Sequence, residues 1–180
     1  MSNAHTTEGP SVRLRPLMPD DLATHARGCD DLVNHWVNEG RRGSDEQHLA
    51  WLHRQARAWE TRDDVVDLAV EEAVSGEHVG VVGIQRGLAY LEPGEVNLTY
   101  ALYAGHRGRG LATAAVVAAM ELALTQAPVV RFLIRCDPGN HASAAVACRL
   151  GFRYVGRVAE PDGWAGDRYV REVPVPSPDR

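Results

Sequence analysis

The sequence contains no lysine, few cysteines and no long apolar run. Its basic residues are all arginine, and acidic residues outnumber them to give a net charge of −5. A general nucleic-acid surface needs an excess of basic groups to contact phosphates, so this balance argues against nucleic-acid binding. No stretch reaches the roughly 18 apolar residues of a membrane helix, and the N-terminus lacks a basic-then-apolar secretory pattern. We therefore expect a soluble, cytoplasmic protein that binds no membrane.

The number and spacing of the three cysteines argue against a disulfide framework and against a metal site. Cys29, Cys136 and Cys148 are far apart and have apolar neighbours. This pattern predicts small buried side chains rather than a disulfide framework. Their spacing also matches no metal-binding motif, so we expect no metal site.

Length and composition predict one domain. A chain of 180 residues, 44% of them hydrophobic, is long enough to bury one core and too short to favour two. We place the domain at residues 11–173 and expect flexible termini at 1–10 and 174–180. Both a monomer and a homodimer remain open.

Apolar periodicity and turn residues predict the order of the elements. A first strand precedes two helical segments, at about 20–37 and from the capping box Ser44-Asp45-Glu46-Gln47 onward. Three strands with short connections follow and should pair antiparallel, and the second half alternates between strand and helix. The predicted strands are 12–17, 65–73, 79–85, 96–103, 129–136, 152–158 and 167–173, and the later helices are 111–125 and 142–150. This order predicts a mixed α/β sheet with helices on both faces.

The two early helical segments carry several histidines and tryptophans. We interpret His25, His35 and His48 as solvated or core residues. The alternative is that these segments form a wall of a substrate pocket, in which Trp36 or Trp51 packs against the substrate.

A glycine-rich loop stands between the fourth predicted strand and the long apolar helix. It reads His106-Arg107-Gly108-Arg109-Gly110-Leu111-Ala112-Thr113. Glycines let the backbone approach an anion closely, and the unpaired N–H groups at a helix start attract that anion. The loop therefore predicts a pyrophosphate-binding site. It is not a Walker A motif, because no Gly-Lys-Ser/Thr follows, and the Rossmann dinucleotide pattern fails at Thr113.

Two motifs in this half of the chain resemble those of the GNAT acetyltransferases. Arg107-x-x-Gly110-x-Ala112 is similar to the Arg/Gln-x-x-Gly-x-Gly/Ala signature of that family. The segment from Asp137-Pro138-Gly139-Asn140 through Ser143, followed by Leu150-Gly151-Phe152, resembles the D-P-x-N-x-x-S…LGF segment of the RimJ/RimL-like branch. The resemblance implies the GNAT fold, a mostly antiparallel sheet with splayed fourth and fifth strands. It also implies transfer of an acetyl group from acetyl-CoA to an amine.

The resemblance further implies which residues bind acetyl-CoA. The pantetheine arm of the cofactor would lie between the splayed strands, and the backbone amides of 107–112 would bind its pyrophosphate. Arg107 or Arg109 would meet the additional phosphate of the nucleotide. Asn140 would contact the pantetheine arm and can also cap the next helix. The implied acetyl-CoA-binding residues are Leu102, Tyr103, Arg107, Gly108, Arg109, Gly110, Leu111, Ala112, Thr113, Asn140 and Ser143.

The sequence departs from the family pattern at the general base. Asn97 stands where many RimJ/RimL-like sequences have a glutamate, and asparagine cannot take a proton at neutral pH. Glu95 lies two residues earlier, on the same strand face, and is a candidate replacement. Tyr100 and Gln85 are further polar candidates.

The proton donor also differs from the family pattern. The tyrosine that many GNAT enzymes use as an acid is missing, because 144–147 holds only small and apolar residues. Ser143 is then the best remaining donor, near the thiolate leaving group.

The missing glutamate favours an acceptor amine of low pKa. An α-amino group with a pKa of about 8 is roughly one-tenth neutral at pH 7, whereas a lysine is neutral in only about a few molecules per ten thousand. A protein N-terminus and a small amine, such as an aminosugar antibiotic, both remain open as acceptors.

Two other functions also remain open. A non-catalytic acyl-CoA-binding module would tolerate the missing glutamate. A nicotinamide-dependent dehydrogenase would explain why Asp137 ends the strand that follows the glycine-rich loop.

Overall fold

A seven-stranded sheet organises the residues that the computed structural model describes, which are 11–159, 161 and 163–174. The terminal segments predicted to be flexible lie outside these residues, apart from position 174. The strands are β1 (Val12–Pro16), β2 (Val65–Glu72), β3 (His78–Gln85), β4 (Glu95–Leu102), β5 (Arg131–Cys136), β6 (Arg153–Ala159) and β7 (Ala165–Glu172). The helices are α1 (Leu22–Gly28), α2 (Asp31–Val37), α3 (Asp45–Thr61), α4 (Leu111–Gln126) and α5 (His141–Arg149), with a 3₁₀ turn at Pro19–Asp21.

The sheet is mixed and mostly antiparallel, as predicted. Its strand order is β1-β2-β3-β4-β5-β7-β6, and β4 and β5 form the parallel pair. These two strands pair only where Glu95, Val96 and Asn97 lie opposite Arg131, Phe132 and Leu133. Beyond this point β4 continues without a β5 partner, so the two strands separate. The structure thus confirms the splay that the resemblance implies.

Helices cover both faces of the sheet. On one face α4 packs against β1, β3 and β4, and α5 packs beside it against β5 and β6. Helix α4 is apolar on all sides, and Leu111, Ala115, Val116, Ala119 and Ala123 are fully buried. On the other face α1 packs against β3, and α3 packs against β1 and β2. Among the described residues, no helix has both the length and the apolar character needed to cross a membrane.

The first helical segment is broken, where we predicted a continuous stretch over 20–37. The chain turns at Cys29 and Asp30, and α2 begins anew because Asp30 accepts a hydrogen bond from the N–H of Val33 at 3.0 Å. Gly28 ends α1 under the ring of Tyr103, where a Cβ atom would lie only 2.3 Å from the ring carbons. The Asp30 cap and the contact of Gly28 with Tyr103 therefore end α1 and start α2, although the apolar pattern of the sequence continues through both.

The predicted capping box of α3 is confirmed. Ser44 Oγ accepts a hydrogen bond from the N–H of Gln47 at 3.3 Å, and Gln47 Oε1 accepts one from the N–H of Ser44 at 2.9 Å. This cap starts α3 so that Leu52, Gln55 and Ala58 face the sheet and are buried.

Candidate active site

Two cavities meet where β4 and β5 separate. One, which we call the α4 cavity, has a volume of about 760 Å³ and lies beside the glycine-rich loop. The other, the α3 cavity, has a volume of about 820 Å³ and lies between the sheet and helices α1 to α3. The residues that line both cavities are Val33, Trp36, Val37, Tyr100, Ala101, Asn140 and Ser143. The cavities therefore share a wall at the gap between the strands.

The glycine-rich loop forms one end of the α4 cavity. Gly108 and Gly110 have φ angles of +74° and +79°, in the left-handed region that glycine adopts without strain. Gly110 is the N-cap of α4 and has no side chain to occupy the free N–H groups of the first helical turn. The helix dipole and these N–H groups together make this end of the cavity suited to an anion.

Most of the residues predicted to bind the cofactor line the α4 cavity. They are Leu102, Arg107, Gly108, Gly110, Ala112, Thr113, Asn140 and Ser143. The described lining does not include Tyr103, Arg109 or Leu111. Tyr103 turns its ring to the α3 cavity, and Leu111 is fully buried in the core.

Arginines near the loop are held by other groups of the chain. Arg107 donates its terminal nitrogens to Asp30 at 2.7 and 2.8 Å and its Nε to the carbonyl of Leu102 at 2.9 Å. Arg109 forms an ion pair with Glu72. A phosphate that contacts either arginine must therefore compete with a carboxylate.

Arg149 of α5 is a further cation at this end of the cavity, which sequence reasoning missed. It lines the α4 cavity and donates a hydrogen bond to Thr113 Oγ1 at 2.9 Å. Thr113 is in the first turn of α4, so the guanidinium lies close to the anion-attracting helix end.

A pair of hydroxyl groups lies at the shared wall. Tyr100 Oη and Ser143 Oγ are 2.8 Å apart, and either can be the donor. The carbonyl oxygen of Ser143, 3.1 Å from Tyr100 Oη, is the other acceptor for the one phenolic proton. Burial raises the pKa of Tyr100 to about 12, so this hydroxyl remains protonated at neutral pH. Asn140 Oδ1 caps α5 by accepting from the N–H of Ser143 at 3.0 Å. The cap thus fixes the backbone at Ser143, which lines both cavities.

Asp67 is a carboxylate in the lining of the α3 cavity that sequence reasoning missed. It lies in register with Gly83 and Thr99 across β2, β3 and β4. A Cβ atom on Gly83 would be 2.2 Å from both Asp67 Oδ1 and Thr99 Oγ1, so glycine leaves the space in which these groups meet. Burial raises the pKa of Asp67 to about 6, and the hydrogen bond with Thr99 opposes that rise. The available sequence signal was a single acidic residue within the apolar run of β2.

The structure does not bring Glu95 or Asn97 to either cavity, as far as the described lining residues show. Glu95 is 3% exposed, and its carboxylate is 2.8 Å from Arg131 and 3.2 Å from Arg168. Asn97 is buried and donates from Nδ2 to Gln85 Oε1 at 2.8 Å. This placement weighs against Glu95 as the replacement for the family base, because its carboxylate is enclosed by two arginines.

The early helices do form a wall of a cavity. His25, His48, Trp36 and Trp51 line the α3 cavity, and the ring of His25 stacks on that of Trp51 with centroids 4.5 Å apart. His35 is exposed, in agreement with its interpretation as a solvated histidine.

Comparison with known proteins gives a consistent family. Residues 11–153 match the family described as the acetyltransferase (GNAT) domain. A GNAT-family acetyltransferase from Bacillus anthracis is 17% identical and covers 91% of this chain and 94% of that chain, with a TM-score of 0.71. No curated protein matches the sequence significantly.

Two further solved structures were determined with bound ligands. RimL, a ribosomal L7/L12 alpha-N-protein acetyltransferase in complex with coenzyme A, is 19% identical over 91% of this chain and 94% of that chain, with a TM-score of 0.74. AAC(6')-Ib in complex with paromomycin and acetyl-CoA is 23% identical over 90% of this chain and 93% of that chain, with a TM-score of 0.73. These likenesses show the same fold, and the family match spans most of the sequence. The chain therefore belongs to the GNAT acetyltransferase family.

Proposed function

We propose that this protein transfers the acetyl group of acetyl-CoA to a primary amine by direct attack in a ternary complex. The observation that carries the proposal is the wall shared by the two cavities. Two ligands that occupy the α4 and α3 cavities meet at Tyr100, Ala101 and Ser143. A thioester and an amine held on opposite sides of this wall can react without a covalent enzyme intermediate.

The α4 cavity is the proposed acetyl-CoA site. Its loop end supplies N–H groups and the dipole of α4 for the pyrophosphate. Its sides carry apolar groups of Leu32, Trp36 and Val37 against which the pantetheine arm can pack. The coenzyme A and acetyl-CoA complexes of RimL and AAC(6')-Ib, which share the fold, support this assignment.

The hydroxyl pair at the shared wall is placed to assist the leaving group. When the amine nitrogen bonds to the carbonyl carbon, the carbon–sulfur bond breaks and the coenzyme leaves as a thiolate. Ser143 Oγ can donate its proton to that sulfur and regain one from Tyr100, which is 2.8 Å away and protonated at neutral pH. Solvent then returns a proton to Tyr100.

Asp67 is the proposed acceptor of the amine proton. It is a carboxylate in the described lining of the α3 cavity, and its pKa of about 6 keeps it mostly ionised at neutral pH. A base with a pKa close to the working pH is more effective than one with the usual value near 4. Thr99, in register with it on β4, lies between the carboxylate and the strand gap and can relay the proton directly or through water.

The charge of the α3 cavity favours an amine that carries an anionic group nearby. Its lining contains four arginines and two carboxylates. The arginines are Arg41, Arg42, Arg54 and Arg135. Arg41 and Arg42 are paired with Glu39 and Asp31, which reduces but does not cancel the positive charge of the lining. The remaining excess disfavours a polycationic aminosugar relative to the α-amino group of an acidic N-terminal peptide. We therefore propose a protein N-terminus as the acceptor class.

Release of coenzyme A thiol from acetyl-CoA tests the proposal directly. The panel comprises peptides with acidic N-terminal segments and the same peptides with blocked α-amino groups. It also includes a peptide whose only free amine is a lysine side chain, and an aminoglycoside. Turnover with free acidic N-termini and none with blocked ones is the expected result. Binding of acetyl-CoA without turnover of any amine would instead favour a non-catalytic acyl-CoA-binding module. The observation that supports this alternative is Asn97, which stands in place of the glutamate base and cannot take a proton at neutral pH.

A further inference from the structure

Three soft or borderline metal-binding groups converge in the wall of the α3 cavity. His25 and Cys29 lie one turn apart on and just after α1, and His48 comes from α3. One ligand atom from each of the three residues lies within 4.8 Å of the others. All three line the α3 cavity, and Gly43 lies close to the ring of His48, where a side chain would crowd it. The cysteine spacing alone predicts no such group, because two of the three members are histidines and one lies on another helix.

The spacing within this cluster agrees with metal coordination. Zinc binds sulfur at about 2.3 Å and histidine nitrogen at about 2.0–2.1 Å, so tetrahedral ligand atoms are about 3.3–3.6 Å apart. Cys29 Sγ is 3.5 Å from His25 Nε2, within that range, and 4.0 Å from Nδ1. The sulfur therefore lies beside the ring, and a side-chain rotation must bring it in front of the Nε2 lone pair. All three ligand atoms lie within 4.8 Å of one another, so a side-chain movement of about 1 Å brings them to the 3.3–3.6 Å of a tetrahedral site.

A second group orients the first ligand. Tyr103 Oη is 2.9 Å from His25 Nδ1, the ring nitrogen that lies farther from Cys29 Sγ. When Nδ1 donates its proton to this hydroxyl, Nε2 keeps a free lone pair toward the cluster. Metal-binding histidines in proteins are held in this way by a hydrogen-bond partner of the second nitrogen. The stacked ring of Trp51 further fixes the imidazole plane.

We propose that His25, Cys29 and His48 bind a thiolate-preferring divalent cation such as Zn²⁺, with a fourth coordination position open to the α3 cavity. Two histidines and one thiolate form a donor set that suits Zn²⁺ and not Mg²⁺ or Ca²⁺, which take oxygen ligands. Binding converts the Cys29 thiol to a metal thiolate and releases one proton to solvent. The bound ion joins α1 to α3. This proposal is independent of the acetyl-transfer proposal.

Titration with Co²⁺ tests the site, because this ion reports its ligands by absorption. The wild type, kept reduced, is expected to bind one equivalent of Co²⁺ with a thiolate charge-transfer band and tetrahedral d–d bands. Zn²⁺ should displace the cobalt and abolish both sets of bands. Absence of the thiolate band, or binding that saturates at no fixed stoichiometry, overturns the proposal.

Matched variants separate the site from general metal binding. Cys29→Ser should remove the thiolate band, whereas Cys148→Ser, which changes an exposed cysteine, should keep it. His48→Gln should weaken Zn²⁺ binding at least about tenfold, and His53→Ala, an exposed histidine of the same helix, should not. Melting curves recorded without metal check that each variant folds. Retention of the band in Cys29→Ser contradicts the assignment. An acetyl-CoA binding assay on the same samples tests the acetyl-transfer proposal separately, because its result does not depend on whether the metal binds.

Tyr103→Phe tests the orienting hydrogen bond. Loss of such a partner costs about 10–100-fold in metal affinity, and we expect a loss of about tenfold for Zn²⁺ with the cobalt band retained. A merely structural tyrosine would lower the melting temperature without changing metal affinity in the folded protein.

Discussion

Arg107 and Asp30 form a two-point ion pair between residues that are 77 positions apart in the chain. The same carboxylate caps α2 by accepting from the N–H of Val33. Asp30 therefore fixes the start of α2, which carries Trp36 and Val37 of the shared wall, against the glycine-rich loop. One acidic side chain holds together the two sides of the α4 cavity.

We expect Asp30→Asn to weaken both the fold and acetyl-CoA binding. The Arg107 guanidinium holds the pKa of Asp30 at about 2, so its stabilising effect is complete above the ordinary pKa near 4 and is lost as the pH falls toward 2. The melting temperature of the variant should be below that of the wild type at pH 7, and the difference should shrink between about pH 4 and pH 2. Asp31→Asn, which alters an exposed pair with Arg42, is the control. Equal acetyl-CoA affinity in the two variants would contradict the coupling.

Asp67→Asn should reduce kcat/KM by about 10²-fold to 10⁴-fold if this carboxylate takes the amine proton. The wild-type profile should rise through a pKa of about 6, and the variant should lack this limb. A folded-state pKa above the ordinary value means that ionisation costs stability as the pH rises from about 4 to 6. The variant should therefore melt above the wild type at pH 7.5, with the two converging below pH 4. Asp63→Asn, at an exposed position before β2, should change neither property, and an unaltered pH profile in Asp67→Asn would refute the role.

Ser143→Ala should lower kcat about 10²-fold and leave the KM for acetyl-CoA nearly unchanged, since the proton is needed only as the thiolate leaves. Tyr100→Phe should act in the same direction with a smaller effect, because the serine hydroxyl remains. Steady-state kinetics with saturating acceptor measures both, and Cys148→Ser on the same helix is the control. An unchanged kcat in Ser143→Ala would show that the thiolate departs without a protein donor.

Gly110→Asp and Gly110→Asn distinguish charge from backbone strain at the start of α4. Both variants place a side chain of similar size at φ +79°, but only aspartate repels a pyrophosphate. Acetyl-CoA at a hundred times its Kd should stabilise the wild type by about 2.7 kcal/mol, a rise of several degrees in Tm. The aspartate variant should lose this shift and the asparagine variant should keep most of it. Equal loss in both would remove the anion-binding role of the loop.

Glu95→Ala should damage stability and spare the chemistry. Removing one member of a buried ion pair costs about 3–5 kcal/mol, and we expect about 2 kcal/mol here because Arg131 is 39% exposed. Denaturant unfolding measures the loss, and kcat of the folded fraction should stay at the wild-type value. Glu77→Ala, at an exposed turn, is the matched control. A loss of kcat at unchanged stability would restore Glu95 as a base.

The sequence was most informative where a local pattern has one physical outcome. The capping box at Ser44, the apolar run of α4 and the glycines before it each predict their element with an error of only one or two residues. The anion-binding end of the α4 cavity follows from the same local signals. The break between α1 and α2 does not, because it depends on the contact of Gly28 with the ring of Tyr103, which is far away in the chain.

The chemistry of the α3 cavity was hidden for a related reason. Strand neighbours such as Asp67 and Thr99 are brought side by side by sheet register, which single-strand patterns do not contain. Conversely, alternation alone places Glu95 on a useful strand face without indicating the two arginines that enclose it. A residue's face can be predicted from its own strand, whereas its electrostatic partners belong to other strands.

The wall common to both cavities has a thermodynamic consequence. Because Trp36, Val37 and Tyr100 border both cavities, a rearrangement of these side chains by a ligand in one cavity alters the free energy of binding in the other. Such heterotropic coupling is reciprocal: the factor by which the cofactor changes acceptor affinity equals the factor by which the acceptor changes cofactor affinity. The size of this coupling is thus a property of the common border and not of either cavity alone.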